Sequence, residues 1–312
     1  MFSWRCILDL KESTKETKLK YMTEKPFYNP FPAAIEIQTI TSCNAGCVIC
    51  PHKDVVSKLP NGIMSMELFK KIIDQIKSPW GIRIIPYFNN EPFLDPLIFD
   101  RLAYINERCS EAEIEISTNV SRLDKDAQEK LEPFSIKELR LSIFGFTETS
   151  YKRVMPGLNW GETKKNLISI AGNKNLRSKI GQFSLVMIDY PEISNDDIIL
   201  AQNFCRENFI KFEFWGFFDR SGNVEKFSND IDKYSIFGCE QRRPLERMHI
   251  NFRGDVVLCC MDWKWKYKLG NIFESSLEEV WNSDVYNEYR EAVYNNGKRE
   301  YTDLCRKCKL SL

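Results

Sequence analysis

Strand-like and helix-like segments alternate six times between residues 33 and 225 of this 312-residue chain. The first pair sets the pattern: Ala34–Thr41 alternates apolar and polar residues, and Met66–Lys77 places its apolar residues on one helical face. Further predicted strands are 82–88, 113–117, 138–143, 182–188 and 211–217, and further predicted helices are 97–108, 124–131, 147–154, 162–171 and 196–208. Repeated strand–helix units form a parallel sheet. Because six units are too few for a closed eight-fold barrel, the pattern predicts an α/β fold with a partial (β/α)6 barrel.

The regular alternation stops near Gly222, and five cysteines then fall between Cys239 and Cys308. We therefore predict three parts: an N-terminal lead-in over residues 1–32, the partial barrel over 33–225, and a small cysteine-rich module over 226–312. In a barrel of this kind the functional loops lie at the C-terminal ends of the strands.

Composition narrows the functional classes. Lys plus Arg equals Asp plus Glu at 44 each, so no excess of positive charge indicates nucleic-acid binding. No stretch approaches the roughly 18 apolar residues of a membrane span. Arg5 and Asp9 make the N-terminus a poor signal peptide, which predicts a cytoplasmic protein. Because disulfides are rare there, the clustered members of the 11 cysteines are interpreted as metal ligands.

The first cysteine group follows the first predicted strand with C-x3-C-x2-C spacing, at Cys43, Cys47 and Cys50. Three thiolates on one short loop can bind three irons of a cubane cluster, which leaves the fourth iron free for a small molecule. A zinc site is an alternative, with His52 as the fourth ligand. Three ordinary buried thiols are another. The position after the first strand favours the cluster.

With this loop, the chain resembles the radical S-adenosylmethionine (SAM) superfamily, whose hallmark is the same spacing after the first strand of a six-unit partial barrel. The resemblance implies that the open iron of a 4Fe–4S cluster binds the amino and carboxylate groups of SAM. Electron transfer from the cluster then yields methionine and a 5′-deoxyadenosyl radical, which abstracts hydrogen from a substrate.

Other segments match motifs of this family. Asn89-Asn90-Glu91-Pro92 is similar to the Gly-Gly-Glu-Pro motif that holds the SAM amino group, with both glycines replaced by asparagine. Asparagine tolerates left-handed backbone, so the replacement is compatible with that role. The resemblance implies SAM contacts from Ile49, Asn89, Asn90, Glu91, Ser117, Thr118, Asn119, Ser142 and Arg153. Arg153 stands two residues before the family's usual arginine position, which Met155 occupies.

The second cysteine group resembles the auxiliary-cluster module of radical SAM enzymes, called SPASM in its long form and twitch in its short form. Gly254 precedes Cys259 by the module's spacing, and Cys305-x2-Cys308 follows. The resemblance implies a second 4Fe–4S cluster, bound by Cys239, Cys259, Cys305 and Cys308. From the spacing alone, a zinc site remains the alternative.

The resemblance also bears on function. It implies a radical SAM enzyme that oxidises a small polar metabolite such as a sugar, cyclitol or nucleotide derivative, with an external flavodoxin or ferredoxin as the one-electron reductant. Peptide maturation and epimerisation are alternatives, and Cys260 is the candidate hydrogen-atom donor for the latter. A non-enzymatic iron–sulfur or zinc protein is a more remote alternative. The two histidines of the chain are expected to add little acid–base capacity.

Overall fold

The computed structural model describes residues 28–228 and 231–312. Most of the predicted lead-in, including the segment considered as a signal peptide, lies outside the described residues. Six parallel strands lie side by side in the order β6-β5-β4-β3-β2-β1, which confirms the predicted partial barrel. Their bounds are β1 Ala34–Ile37, β2 Arg83–Ile85, β3 Glu113–Thr118, β4 Ile136–Ser142, β5 Ile180–Asp189 and β6 Lys211–Gly216.

Helices connect these strands and pack their apolar faces against the sheet. Several begin where the sequence predicts because a side chain caps them: Ser65, Asp124 and Ser194 each accept a hydrogen bond from the backbone N–H three residues on. The helices of this half are α1 His52–Val55, α2 Met66–Ile73, α3 Ile98–Arg108, α4 Lys125–Leu131, α5 Glu148–Val154, α6 Trp160–Gly172, α7 Lys174–Arg177 and α8 Asn195–Glu207.

The two faces of the sheet differ in polarity. Ile35 and Ile37 are fully buried in the hydrophobic core, whereas Glu36 and Gln38 alternate with them and belong to the opposite face. The same alternation places Ser117 on the polar face, whereas its neighbour Ile116 lies on the core face. The polar face encloses the lumen of the partial barrel.

Ion pairs fill the lumen near the N-terminal ends of the strands. Arg83 Nη1 lies 2.8 Å from Glu115 Oε2 and 3.6 Å from Glu138 Oε2. Arg140, on β4, donates to the carboxylates of both Glu115 and Glu138. Because these charges compensate one another, a ligand of the lumen is expected nearer the C-terminal ends of the strands.

The C-terminal part adds three strands to the same sheet. β7 Arg247–Ile250 pairs in parallel with β1, and β8 Asp255–Val257 and β9 Lys268–Asn271 follow in antiparallel. The resulting nine-stranded sheet is continuous across the boundary predicted near residue 225. Four helices complete this part: α9 Arg243–Glu246, α10 Leu277–Trp281, α11 Asp284–Tyr294 and α12 Arg299–Arg306.

Two differences from the predicted elements have simple causes. β2 ends at Ile85 rather than at residue 88, since Pro86 has no N–H to donate to a neighbouring strand. β7 was not predicted, because the sequence after Gly222 lacks the strand–helix alternation that indicated the other parallel strands. Within 28–228 and 231–312, no helix combines the length and apolar character needed to cross a bilayer.

Candidate active site

The loop with Cys43, Cys47 and Cys50 follows β1 at the C-terminal end of the sheet. Backbone hydrogen bonds hold it against the end of α5. Gly46 N donates to the Pro156 carbonyl oxygen at 2.7 Å, and Val48 N donates to the carbonyl oxygen of residue 154 at 3.0 Å. The main chain of another βα unit therefore fixes the position of the cysteine loop.

The three cysteines of this loop are half-buried and lie close enough together for their charges to interact. Burial raises the pKa of Cys43 to about 12, and the charge of Cys50 adds to the effect. Burial also raises the pKa of Cys47 well above its ordinary value, with further increases from Cys50 and Cys43. Three thiolates in this arrangement need a compensating positive charge, which bound iron supplies. The donor set therefore fits an iron–sulfur cluster.

Glu91 lies at the same end of the sheet, and its buried carboxylate accepts three hydrogen bonds. Thr118 Oγ1 donates at 2.7 Å, Asn119 N at 2.8 Å and Phe93 N at 3.3 Å. Burial outweighs these bonds and raises the pKa of Glu91 to about 7. The charge of this carboxylate acts on Cys43, which places it beside the cysteine loop. A carboxylate in this environment gains from a cationic or strongly donating amino group nearby.

Further residues that are predicted to contact SAM lie near this loop. Ser117 Oγ and Ser142 Oγ lie 3.0 Å apart on neighbouring strands. Asn119 Nδ2 donates to Asn44 Oδ1, within the cysteine loop, at 3.0 Å. These bonds connect the ends of β3 and β4 to the loop after β1.

Asn89 and Asn90 precede Glu91, and the side-chain amide nitrogens of both are buried without a hydrogen-bond partner among the described residues. Buried donors without partners are rare in folded proteins and are available to a ligand. Ile49 lies within the loop, and its side chain is buried in the hydrophobic core. The SAM contacts of these three residues stay predictions.

Arg153 lies apart from this group. Its side chain is exposed and donates to the carbonyl oxygen of Glu192 at 3.2 Å. Arg220 acts on the cysteine loop instead, because its positive charge lowers the pKa of Cys50 against the larger, raising effect of burial. No motif in the sequence indicated Arg220. It and Ser221 adopt left-handed backbone with φ of 56° and 57°, a strained conformation that is common at functional sites.

The C-terminal cysteines converge from three segments. Cys239 precedes α9, Cys259 follows β8, and Cys305 and Cys308 lie at the end of α12. Burial raises the pKa of Cys305, and the charges of Cys239 and Cys308 raise it further, so these three thiols lie near one another. Cys259 is connected to them by Arg243, whose Nη1 atom lies 3.8 Å from Cys259 Sγ.

In the described part of the chain, no three thiols of either cysteine set lie within 4.8 Å of one another, as the sulfurs of a single zinc site would. Tetrahedral zinc with bonds of about 2.3 Å holds its sulfurs roughly 3.8 Å apart. Among the described residues, one group of three or more candidate ligands has all its atoms within 4.8 Å, and neither cysteine set forms it. His52, the fourth zinc ligand considered above, bonds instead to the Thr41 carbonyl oxygen at 2.8 Å. Wider spacing favours clusters, in which each cysteine binds a different iron.

The group within 4.8 Å consists of Glu36, His249 and Cys260, which the sequence analysis did not bring together. Glu36 on β1 and His249 on β7 face each other in register, with His249 Nε2 3.5 Å from Glu36 Oε1. Arg247 Nη1 lies 2.9 Å from the same oxygen. Because the guanidinium already compensates the carboxylate, the group is better suited to proton exchange and hydrogen bonding than to a metal ion.

The Glu36–His249 pair is strongly ionised. Burial acts to raise the pKa of Glu36, but the charges of His249 and Arg247 outweigh it and lower the pKa to about 2. Burial acts to lower the pKa of His249, but the Glu36 carboxylate and the nearby Cys260 outweigh it and raise the pKa to about 9. The chain therefore has a titratable pair in the lumen, contrary to the expectation that its histidines add little acid–base capacity.

Gly157 supports the cysteine loop. Its φ is +94°, and a Cβ atom there would lie 2.8 Å from the Asn44 carbonyl oxygen. We expect Gly157→Ala to lower the free energy of unfolding by about 1–3 kcal/mol, and to lower iron content because the loop must shift. Gly172→Ala is the control, since nothing lies within 4 Å of that position. Equal thermal stability and iron content in the two variants would contradict this prediction.

Comparison with known proteins matches both parts of the chain. The family model of the radical SAM superfamily matches residues 37–198, and that of the SPASM iron–sulfur cluster-binding domain matches residues 239–309. A curated relative from Niallia circulans is named S-adenosyl-L-methionine-dependent 2-deoxy-scyllo-inosamine dehydrogenase. It is 21% identical over 275 residues, which cover 88% of this chain and 91% of the relative.

Solved structures share the fold. BtrN, crystallised in complex with AdoMet and 2-DOIA, is 19% identical with a TM-score of 0.59, over 91% of this chain and 94% of that chain. SuiB of Streptococcus suis, bound to its precursor peptide SuiA, is 19% identical with a TM-score of 0.65. The match covers 88% of this chain and 69% of that chain.

The superfamily match covers more than half of the chain, including the cysteine loop and the four strands β2–β5. The SPASM match covers all four cysteines predicted to bind the auxiliary cluster. Together they confirm the predicted cofactors, which are SAM and 4Fe–4S clusters. The chain therefore belongs to the radical SAM superfamily and is a radical SAM enzyme with a C-terminal SPASM domain.

Proposed function

We propose that this enzyme oxidises a secondary alcohol of a small, polyhydroxylated substrate, such as an aminocyclitol or a sugar. In this proposal Cys43, Cys47 and Cys50 bind the cluster that holds SAM, and Glu91 accepts hydrogen bonds from the SAM amino group. The auxiliary cluster is bound by Cys239, Cys259, Cys305 and Cys308. When bound, the first cluster and SAM supply a hydrogen-abstracting radical, and the auxiliary cluster supplies an electron acceptor.

The observation that carries the proposal is a set of buried polar groups without partners in the lumen. Among the described residues, both amide atoms of Gln38, Oγ of Ser184 and Nδ1 of His249 have no hydrogen bond, and all three side chains are fully buried. Each such group costs about 1–3 kcal/mol. Hydroxyl groups both donate and accept hydrogen bonds, so a polyol or amino alcohol satisfies this mixed set better than an apolar side chain does.

Glu36 and His249 provide for the hydroxyl proton. With pKa values of about 2 and about 9, the pair is a carboxylate and an imidazolium across the neutral range. The imidazolium donates to the substrate oxygen. The Glu36 carboxylate accepts the hydroxyl proton once both the hydrogen atom and the second electron have left, because the protonated carbonyl is then a much stronger acid than the alcohol. Alcohol oxidation requires such an acceptor, because the carbonyl product carries no hydroxyl hydrogen.

The relative from Niallia circulans supports this choice, since its name describes dehydrogenation of an aminocyclitol. The likeness to SuiB keeps peptide modification as an outcome of the test, because that protein was solved with its precursor peptide. We further propose an external one-electron reductant of the flavodoxin or ferredoxin type and a cytoplasmic location.

The test uses the reconstituted, reduced enzyme with SAM and 2-deoxy-scyllo-inosamine, scyllo-inositol or glucosamine. We expect one of these to yield a ketone and 5′-deoxyadenosine in equal amounts. Gln38→Leu should raise KM for that substrate by about 10-fold or more, since it removes two hydrogen-bonding atoms. Gln202→Leu, on the exposed surface of α8, is the matched control. An epimer formed without net SAM consumption, or turnover of peptides alone, would overturn the proposal.

A further inference from the structure

Arg243, the first residue of α9, connects two of the proposed auxiliary-cluster ligands. Its Nη1 atom donates to Cys259 Sγ at 3.8 Å. Arg243 also lies close enough to Cys239 for its positive charge to act on that thiol. One residue therefore interacts with two thiols that are 20 residues apart in the sequence.

The guanidinium of Arg243 has few other partners. Its Nε atom is buried without a hydrogen bond, and among the described residues no carboxylate lies within 4.0 Å of it. The acidic groups whose charges act on it are the thiols of Cys260, Cys259 and Cys239 and the Glu36 carboxylate. A buried guanidinium without a paired anion is costly, so sulfur anions at the cluster supply its compensation.

Arg243 also lies between the lumen and the proposed auxiliary-cluster site. Glu36 belongs to the lumen, where the substrate is proposed to bind, and Cys259 belongs to the auxiliary cluster. Arg243 is within electrostatic range of both. Hydrogen bonds to ligand sulfurs and nearby positive charge stabilise the reduced, more negative state of an iron–sulfur cluster.

We propose that Arg243 is a positioning residue that raises the reduction potential of the auxiliary cluster by donating a hydrogen bond to Cys259. The inference rests on the ligands named under the proposed function. Arg243 would thereby give the auxiliary cluster a reduction potential suited to accepting the second electron of an oxidation. No contact between Arg243 and the substrate is required.

The experiment measures this property without substrate. In a chain with Cys43, Cys47 and Cys50 changed to Ala, the auxiliary cluster is the remaining one, with about four irons per chain. Arg243→Gln and Arg243→Lys are introduced into that background. Arg242→Gln is the matched control, because the neighbouring arginine is exposed and pairs with Glu246. Iron and sulfide are quantified, and the midpoint potential is determined by redox titration followed by electron paramagnetic resonance.

We expect the Arg243→Gln variant to retain its iron and to titrate at a more negative potential than the parent. Arg243→Lys should shift in the same direction by less, since it keeps the charge but has a shorter reach. Arg242→Gln should match the parent. A parental potential in an iron-replete Arg243→Gln variant would overturn the inference.

If Arg243→Gln loses its iron, the lysine variant decides: a potential below the parent's supports the inference, and an equal one overturns it. The outcomes also separate this inference from the proposed function. A background that binds zinc, or no metal, overturns the ligand assignment and the inference with it. Absence of alcohol oxidation in the substrate assay leaves the potentials, and thus the inference, unaffected.

Discussion

Replacing Cys43, Cys47 and Cys50 together with alanine should abolish 5′-deoxyadenosine formation and lower the iron content from about eight to about four atoms per chain. The loop is proposed to be the cluster site that holds SAM, and it supplies all three thiols of that site. The remaining iron belongs to the C-terminal cysteines. Both quantities are measured after anaerobic reconstitution and reduction in the presence of SAM.

The control for this experiment is Cys205→Ala, which removes a thiol buried in α8 outside both cysteine groups. It should keep about eight irons and form 5′-deoxyadenosine. Four irons plus one zinc in the unmodified chain would preserve the enzyme but make the C-terminal site structural. Formation of 5′-deoxyadenosine by the alanine variant would contradict the assignment of the loop.

Glu91→Gln should weaken SAM binding by roughly 10- to 100-fold, because hydrogen bonds to a charged group contribute about 1.5–3 kcal/mol. The amide keeps the shape of the side chain but carries no negative charge. The carboxylate is held in place by Thr118 and Asn119, so neighbouring side chains are not expected to replace it. The dissociation constant is measured by anaerobic calorimetry on protein with both clusters oxidised.

The pH dependence of SAM affinity adds a second readout. The pKa of Glu91 is raised to about 7 by burial, so the carboxyl gains a proton as the pH falls through that value. SAM affinity of the unmodified enzyme should therefore decrease below about pH 7, and that decrease should be smaller in Glu91→Gln. Glu129→Gln, an exposed carboxylate on α4, is the control and should behave as the unmodified enzyme does. An equal pH profile for both variants would contradict a role for Glu91.

The partial barrel was predictable because its information is local. A strand period of two, a helix period of 3.6 and capping residues such as Ser65 act within one segment. The cysteine loop was predictable for the same reason, since all three thiols lie within eight residues. The pairing of β7 with β1 was not, because it joins residues more than 200 positions apart. The Glu36–His249 pair depends on that pairing and was missed with it.

Arg153 shows a different limit of sequence reasoning. It is two residues from Met155, the position that an arginine occupies in the family pattern. Arg153 lies on α5, whereas Met155 follows the last helical residue, Val154, with a non-helical φ of −121° and ψ of 54°. Met155 is fully buried and Arg153 is exposed, so a shift that looks small in sequence reverses the direction of the side chain. Arg220, which acts on Cys50, comes from a distant loop that no motif indicated.

The nine-stranded sheet joins the two cofactor sites into one thermodynamic system. β7 hydrogen-bonds to β1, and Met248 and Ile250 share a hydrophobic core with Ile35 and Ile37. Metal binding in the C-terminal part therefore stabilises the strand that leads to the first cysteine loop. Such linkage is reciprocal, so each cluster raises the affinity of the chain for the other. When iron is scarce, we therefore expect fewer half-loaded chains than two independent sites would give.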